Sequence, residues 1–257
     1  MSAAIAIKGV SKSYRGRGQS VEAVQDLDLE VGAGEFVALL GPSGCGKSTI
    51  LTMVGGLVPV TNGEIMINGE RVARPQTNIG FVFQDPVLLD WRRALENVLI
   101  SVEGRGRPRS EHRARALDLL RSVGLTGFEH RYPYELSGGM RQRVSICRAL
   151  IHDPAVLLMD EPFGALDALT REQLMLDLLR LWQERRKTVL FVTHSISEAI
   201  FLSDRVVVLS QRPARIQEVI GINLPRPRGL KVRQSVEFGL YEQRIFDVFQ
   251  AQGILRE

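Results

Sequence analysis

The run Gly41-Pro42-Ser43-Gly44-Cys45-Gly46-Lys47-Ser48 has the spacing G-x-x-x-x-G-K-[ST]. Its chemistry is that of a phosphate cradle. Glycines let the backbone bend until successive N–H groups converge on phosphate oxygens. A helix that starts there adds its positive end. Lys47 supplies a point charge for β- and γ-phosphates, Ser48 an oxygen for Mg²⁺, and Thr49 a further phosphate contact. A glycine-rich turn with no ligand can match the pattern by accident. The flanks argue against that here: Glu35 to Leu40 reads as a buried strand, and Lys47 to Leu57 as a helix stopped by Gly55 and Gly56.

A second constellation is Val156-Leu157-Leu158-Met159-Asp160-Glu161, an apolar strand ending in two carboxylates. In proteins with such a phosphate loop, this strand runs beside the loop's own strand. Asp160 then reaches the metal shell and Glu161 the attacking water. Adjacent acids at a strand end are common, and these gain meaning from the loop. An acid that polarises water, with no second substrate site in view, points to hydrolysis. The absence of an N-K-x-D guanine-reading element favours ATP over GTP. A third feature is Leu136-Ser137-Gly138-Gly139-Met140-Arg141-Gln142-Arg143. A serine and two glycines at a helix start form another anion-binding end. Alone, it would pass for an ordinary N-cap.

Together these features resemble the ATP-binding subunit of an ABC transporter, whose signature is LSGG followed by Q-R. The resemblance covers essentially residues 1–220. It implies that Tyr14 stacks on adenine, a position otherwise unremarkable for a loop tyrosine. It implies that Gln84, in Phe83-Gln84-Asp85, senses Mg²⁺ and the γ-phosphate and leads into a helical insertion. In Gly164-Ala165-Leu166-Asp167, Asp167 is expected to contact the opposite subunit; the family commonly has Ser in place of Gly164. His194 matches the histidine that holds the γ-phosphate and water, although a lone histidine there is more often structural. Ser195 stands where many members carry Asp. Both residues cap helices, and Ser195 with Glu198 makes a capping box, so retained activity is expected.

The resemblance thus implies ATP and Mg²⁺ as cofactors. The catalytic set is Glu161, His194 and Gln84, and the metal set Ser48, Gln84 and Asp160. Nucleotide contacts come from Tyr14, Gly41 through Thr49, Ser137, Gly138, Gly139 and Asp167. It implies a head-to-tail homodimer with ATP sandwiched between each phosphate loop and the partner's signature helix. It also implies integral-membrane permease subunits, a separate solute-binding protein and a peripheral place on the cytoplasmic face of the inner membrane. Leu88-Leu89-Asp90-Trp91-Arg92-Arg93-Ala94-Leu95-Glu96-Asn97-Val98 is similar to a stretch of the nitrate, sulfonate and taurine importer subfamily, with Asp90 replacing the usual Pro. Arg212-Pro213-Ala214-Arg215-Ile216 is similar to the same group. The alternatives are an ABC exporter or lipid-transport ATPase, and a soluble ABC ATPase of chromosome or repair type. The latter carry long coiled coils, and no sustained heptads lie between Lys47 and Ser137.

The elements that must position these residues read as α/β. The implied fold is a P-loop NTPase (ABC ATPase) core with an antiparallel β subdomain and an inserted helical subdomain. The expected division is a core of 1–85 and 155–225, a helical segment of 86–154 and a tail of 226–257. Strands are predicted over Ala4 to Val10, Val21 to Val31, Gly63 to Gly69, Ile79 to Phe83, Ala155 to Met159, Thr188 to Val192 and Arg205 to Leu209. Ser110 is expected to cap a helix with Ala114, Leu117, Leu120 and Val123 on its apolar face, ending at Gly124. Another helix starts at Ser137, and Thr170 with Gln173 reads as a capping box. Pro225 and Pro227 mark a break before an amphipathic C-terminal helix.

The 257 residues are 44% hydrophobic and 24% charged, ordinary for a globular chain. No run of 18 apolar residues occurs, and the N-terminus lacks the basic-then-apolar pattern of a secretory signal, so a soluble cytoplasmic protein is expected. The net charge of +4 is mild. Arginines crowd at 105, 107, 109, 113 and 115, and basic residues at 212, 215, 226, 228, 231 and 233. Without an RNP, zinc-finger or interleaved aromatic pattern, these read as solvated or partner-facing surface, with no nucleic acid. Cys45 and Cys147 read as small packing residues without redox chemistry.

Overall fold

The computed structural model describes residues 3–16 and 20–254. Strands β1 (Ala3–Arg15), β2 (Ser20–Gly32) and β3 (Phe36–Leu40) precede helix α1 (Lys47–Val54). Then come β4 (Asn62–Ile67), β5 (Glu70–Arg71) and β6 (Ile79–Val82). Helices α2 (Ala94–Glu103), α3 (Arg109–Ser122) and α4 (Gly138–Leu150) are followed by β7 (Val156–Asp160) and α5 (Ala168–Arg185). Last are β8 (Thr188–Thr193), α6 (Ile196–Leu202), β9 (Arg205–Leu209), β10 (Ile216–Gly221) and α7 (Val236–Ala251). The residues fall into two compact units: one up to Gln76 and again from Arg186, the other Thr77–Arg185.

In the first unit, an antiparallel sheet has the order β2-β1-β4-β5. Leu27, Leu29 and Val31 of β2 are buried while Asp28 and Glu30 are exposed, so one face packs and the other meets water. Asn68 and Gly69 join β4 to β5 with positive φ at both positions, as a two-residue hairpin turn needs. The unit's second sheet runs β10-β9-β3-β8, with β3 parallel to β8 and β9. Every residue of β3 and β8 is buried, which is why both read as unbroken apolar runs in the sequence. Strand β10 is antiparallel to β9 and was not evident from the sequence. Only Ile220 of its six residues is buried, so hydrophobic patterning gives it little signal.

The second unit pairs β6 with β7 in parallel. Its helical core is built from Leu95, Val98 and Val102 of α2, Ala116 and Leu120 of α3, and Val144 and Cys147 of α4. Burial pushes the Cys147 thiol well above its usual range, which removes thiolate reactivity. Two sequence expectations need correction here. Helix α3 starts after Pro108, so Ser110 lies inside its first turn. Ala114 is exposed and Ala116 takes the core position. Helix α5 begins at Ala168, two residues before Thr170: the Asp167 carboxylate, three residues before it, accepts the Thr170 N–H at 3.1 Å and serves as the cap.

The basic clusters are less solvated than expected. Arg105 donates to the Thr77 carbonyl, Arg109 pairs with Glu103, and Arg115 binds the Leu150 carbonyl and Asp153. In the first unit Arg228 is only 4% exposed. Its guanidinium donates to the carbonyls of Ile200, Phe201, Ser203, Ile222 and Leu224. Three of these are at the C-terminal end of α6, where carbonyls lack helical partners and the dipole favours a cation. Burial lowers the Arg228 pKa to about 10, still charged at neutral pH. Beside it, Arg226 binds Asp204 and the Leu202 carbonyl, and the Arg233 guanidinium lies 4.7 Å from the Phe201 ring centre. The segment after Pro225 is thereby fastened to α6. Arg228→Met keeps aliphatic volume but strips the donors from buried carbonyls. It should cost on the order of 2–4 kcal/mol in urea unfolding. A variant as stable as the wild type would show that these carbonyls find other partners.

Candidate functional site

In the first unit, β3 delivers the chain into the loop Gly41 to Gly46 and α1 leaves it. Gly44 and Gly46 have φ of 74° and 128°. A Cβ on Gly46 would lie 2.5 Å from the Ala23 carbonyl oxygen, so both the dihedral and the space demand glycine there. Gly46 is the N-cap of α1, and no side chain caps it. The helix start is therefore built for a ligand's acceptors. The Lys47 side chain is buried and folds back over the loop, its Nζ donating to the carbonyls of Gly41 and Pro42 at 2.9 and 3.0 Å. Ser48 is exposed and Thr49 half-buried on the same first turn, while Cys45 is buried beside Gly41.

Tyr14 sits on β1 opposite Val21 and is 43% exposed, with Lys12 Nζ 5.0 Å from the ring centre. His194 is exposed directly after β8. Around it, Thr193 Oγ1 donates to Glu198 Oε2 at 2.6 Å, the Ser195 N–H donates to Thr193 Oγ1, and the Glu198 N–H donates to Ser195 Oγ. The expected capping box is thus realised on one side. Its return arm runs through Thr193, because the buried Glu198 carboxylate takes the threonine proton and the threonine oxygen takes the Ser195 N–H. Ser195 performs the capping that an aspartate would.

In the second unit, Gln84 is exposed just beyond β6, and half-buried Asp160 ends β7. Glu161 has φ +40°, uncommon for a residue with a side chain and typical of strained functional positions. Glu161 and Gln84 come together at Gly164: a Cβ there would lie 3.9 Å from Gln84 Nε2 and 4.0 Å from Glu161 Oε2. Those are ordinary contact distances, so glycine in place of the family's serine is not forced by sterics.

Helix α4 opens at Ser137, whose Oγ accepts the Met140 N–H at 3.3 Å. Ser137 and Gly138 are exposed and Gly139 is buried. A Cβ on Gly139 would lie 2.4 Å from Thr170 Cγ2, so the signature glycine permits close approach to the first turn of α5, which Asp167 caps. Hydrogen bonds from Thr170 hold the exposed Asp167 carboxyl below its usual range. What anchors this helix leaves little trace in the sequence. Arg143 donates to the Val123 carbonyl and pairs with Asp177 at 2.8 Å, both side chains largely buried. Gln142 Nε2 donates to the Phe83 carbonyl at 3.3 Å. The Q-R following LSGG was the available signal, although its spacing alone names no partner.

A family model described as ABC transporter matches residues 24–164. The chain belongs to the ABC transporter family. It is 46% identical over 250 residues to an uncharacterised ABC transporter ATP-binding protein of Methanocaldococcus jannaschii, covering 97% of this chain and 92% of that protein. It is 41% identical over 252 residues to an aliphatic sulfonates import ATP-binding protein of Bacillus cereus, covering 98% of each. A taurine import ATP-binding protein of Rhizobium johnstonii is 49% identical over 199 residues, 77% of this chain and 76% of the relative. Among solved structures, a dimeric post-hydrolysis state of an ATP-binding cassette bound to ADP and Pi matches with a TM-score of 0.77 and 34% identity. That match covers 86% of this chain and 100% of the other. The fold is that of an ABC ATPase cassette.

The contact at Gly139 predicts a specific rescue in this ABC cassette. Gly139→Ala should lower stability by about 1–3 kcal/mol through overpacking against Thr170, read from urea unfolding of the buried Trp182. Adding Thr170→Ser removes the opposing methyl and should recover more than half of the loss. Equal losses in the single and double variants would place the constraint elsewhere.

Proposed function

We propose that this chain is the ATP-binding and ATP-hydrolysing subunit of an ABC importer for a small anion or organic solute such as nitrate, a sulfonate or taurine. The observation that carries the catalytic part is the loop before α1, where a folded-back lysine meets a helix start with no side-chain cap. The importer and solute class rest on the sulfonate and taurine relatives. The Leu88–Val98 and Arg212–Ile216 stretches support the same kinship.

In this reading Gly41 to Thr49 surround the phosphates, with backbone N–H donors from every residue but Pro42, Lys47 neutralises β- and γ-phosphate charge, and Tyr14 stacks on the adenine. Glu161 accepts a proton from the attacking water while His194 holds the γ-phosphate and that water in line. Gln84 reports the state of the γ-phosphate to the helical segment. A second copy contributes Ser137, Gly138 and Gly139 to the phosphates and Asp167 to the interface, so ATP joins the two subunits head to tail. The core of 1–85 and 155–225, the helical segment of 86–154 and the tail of 226–257 belong to the same proposal.

Ser48, Gln84 and Asp160 offer oxygen donors, a hard set that suits Mg²⁺. Among the described residues no group of three or more His, Cys, Asp or Glu side chains could hold a metal. In this proposal Ser48, Gln84 and Asp160 would hold the ion together with phosphate oxygens and water. When bound, the ion would offset the charge of the β- and γ-phosphate oxygens. No helix among the described residues is long and apolar enough to cross a membrane. Permease subunits therefore supply the path in this proposal. A solute-binding protein delivers the solute, and the chain works at the cytoplasmic face of the membrane.

Glu161→Gln keeps size and shape but removes the proton acceptor. Turnover should fall about 10²–10⁴-fold while ATP still binds. Slow hydrolysis should make a dimer accumulate on size exclusion with Mg-ATP and not with ADP. Asp160→Asn should impair Mg²⁺-dependent binding and give little dimer. Wild-type turnover in Glu161→Gln would exclude Glu161 as the base, and an ATP-loaded monomer would count against the shared site.

A further inference from the structure

The segment from Phe83 to Arg93 runs from the proposed sensor Gln84 to the exposed Trp91 without regular secondary structure. Its backbone is nonetheless held at closely spaced points. Gln142 Nε2 donates to the Phe83 carbonyl at 3.3 Å. Arg148 spans two further carbonyls, with Nη2 on Pro86 and Nη1 on Val87, both at 2.6 Å. Asn97, fully buried, accepts the Leu89 N–H at 2.8 Å and donates to the carbonyls of Leu89 and Arg92 at 3.1 and 2.8 Å.

Two features mark the Arg148 clamp as more than surface decoration. Val87 has φ +46°, a left-handed conformation that costs a β-branched residue energy and persists only where its surroundings impose it. The residue is 60% exposed, so packing does not explain the geometry. The Arg148 contact to the Val87 carbonyl is a direct restraint on it. Arg148 also lies on α4, the helix that Ser137 opens, as does Gln142. The two residues hold the carbonyls immediately before Gln84 and two and three residues after it.

We propose that Arg148, assisted by Gln142, is a positioning residue for Gln84: it ties the Gln84 loop and the Trp91 tip to the signature helix α4, so that they move together. The proposal rests on the reading of Gln84 as the γ-phosphate sensor. The planar guanidinium sets a separate nitrogen on each of the two adjacent carbonyls, in a fixed fork that restrains their orientation more than one rotatable ammonium shared between two acceptors does. Any displacement of the α4 start is then imposed on the sensor loop through backbone contacts.

The test combines hydrogen exchange with kinetics on the full chain. In Arg148→Met, amides of 84–92 should exchange at least about tenfold faster, while those of α5 keep wild-type protection. Arg148→Lys, which keeps the charge and serves if the methionine variant does not fold, should loosen the segment by a smaller factor. The turnover number for Mg-ATP should fall roughly tenfold with KM for ATP within about threefold, since ATP binding does not need Arg148. Arg148→Met added to Gln84→Ala should lower turnover little beyond Gln84→Ala alone, because both act through one group. Unchanged exchange, or losses that multiply in the double variant, would overturn the proposal. Faster exchange with undiminished turnover would overturn it too, provided Gln84→Ala itself is impaired. If Gln84→Ala hydrolyses ATP normally, the sensor reading fails and the positioning role falls with it. Faster exchange in Arg148→Met would still separate that outcome from a missing clamp.

Discussion

A triphosphate concentrates more negative charge than one lysine can offset, and it must be met by donors the protein does not use for itself. Helix starts are the natural supply, because the first N–H groups of a helix have no partner within it. The loop before α1 keeps that supply available: glycine at the N-cap brings no side-chain acceptor, and its φ of 128° beside the Ala23 carbonyl leaves no room for one. Lys47 is held by the loop carbonyls, so its charge sits over the same place. The buried strand β3 fixes the loop's entry point.

The second helix start solves the problem differently. Ser137 does cap α4, yet its contact uses only the Met140 N–H. What holds this helix is lateral. Arg143 pairs with Asp177, Gln142 and Arg148 bind the backbone between Phe83 and Val87, and glycine at 139 allows α5 to come close. Buried, hydrogen-bonded charges of this kind stabilise little in net terms but penalise any other arrangement. A helix restrained at its side chains while Ser137 and Gly138 at its start stay exposed can present those residues to a partner without being reshaped by it.

The same logic appears at α6, the helix after His194. Its C-terminal carbonyls are satisfied by Arg228 from the segment after β10, and Arg226 and Arg233 add contacts to the same helix. At its other end, the Thr193–Ser195–Glu198 hydrogen bonds fix the turn that carries the histidine. The short helix of seven residues is thus held at both ends, which its own few hydrogen bonds would not achieve.

Elements with strong periodicity, and residues whose types and spacing imply chemistry, are legible along the chain. β3, β8 and α4 are visible as apolar runs or caps. Gly41 through Ser48, Asp160, Glu161 and Ser137 to Gly139 stand out as candidates for the proposed phosphate, metal and water chemistry, because such functions restrict residue type at short range. Tertiary structure alone decided the partners. Arg228 resembles any surface arginine until the folded chain surrounds it with carbonyls, and Arg148 looks the same until the Pro86–Val87 backbone lies against it. Asp167 rather than Thr170 caps α5, because a cap is chosen by where the helix geometry starts and several nearby residues qualify in one dimension. Hydrogen bonds between segments far apart in the chain leave no periodic trace, since they depend on how close the folded backbone brings two groups and not on their spacing along it.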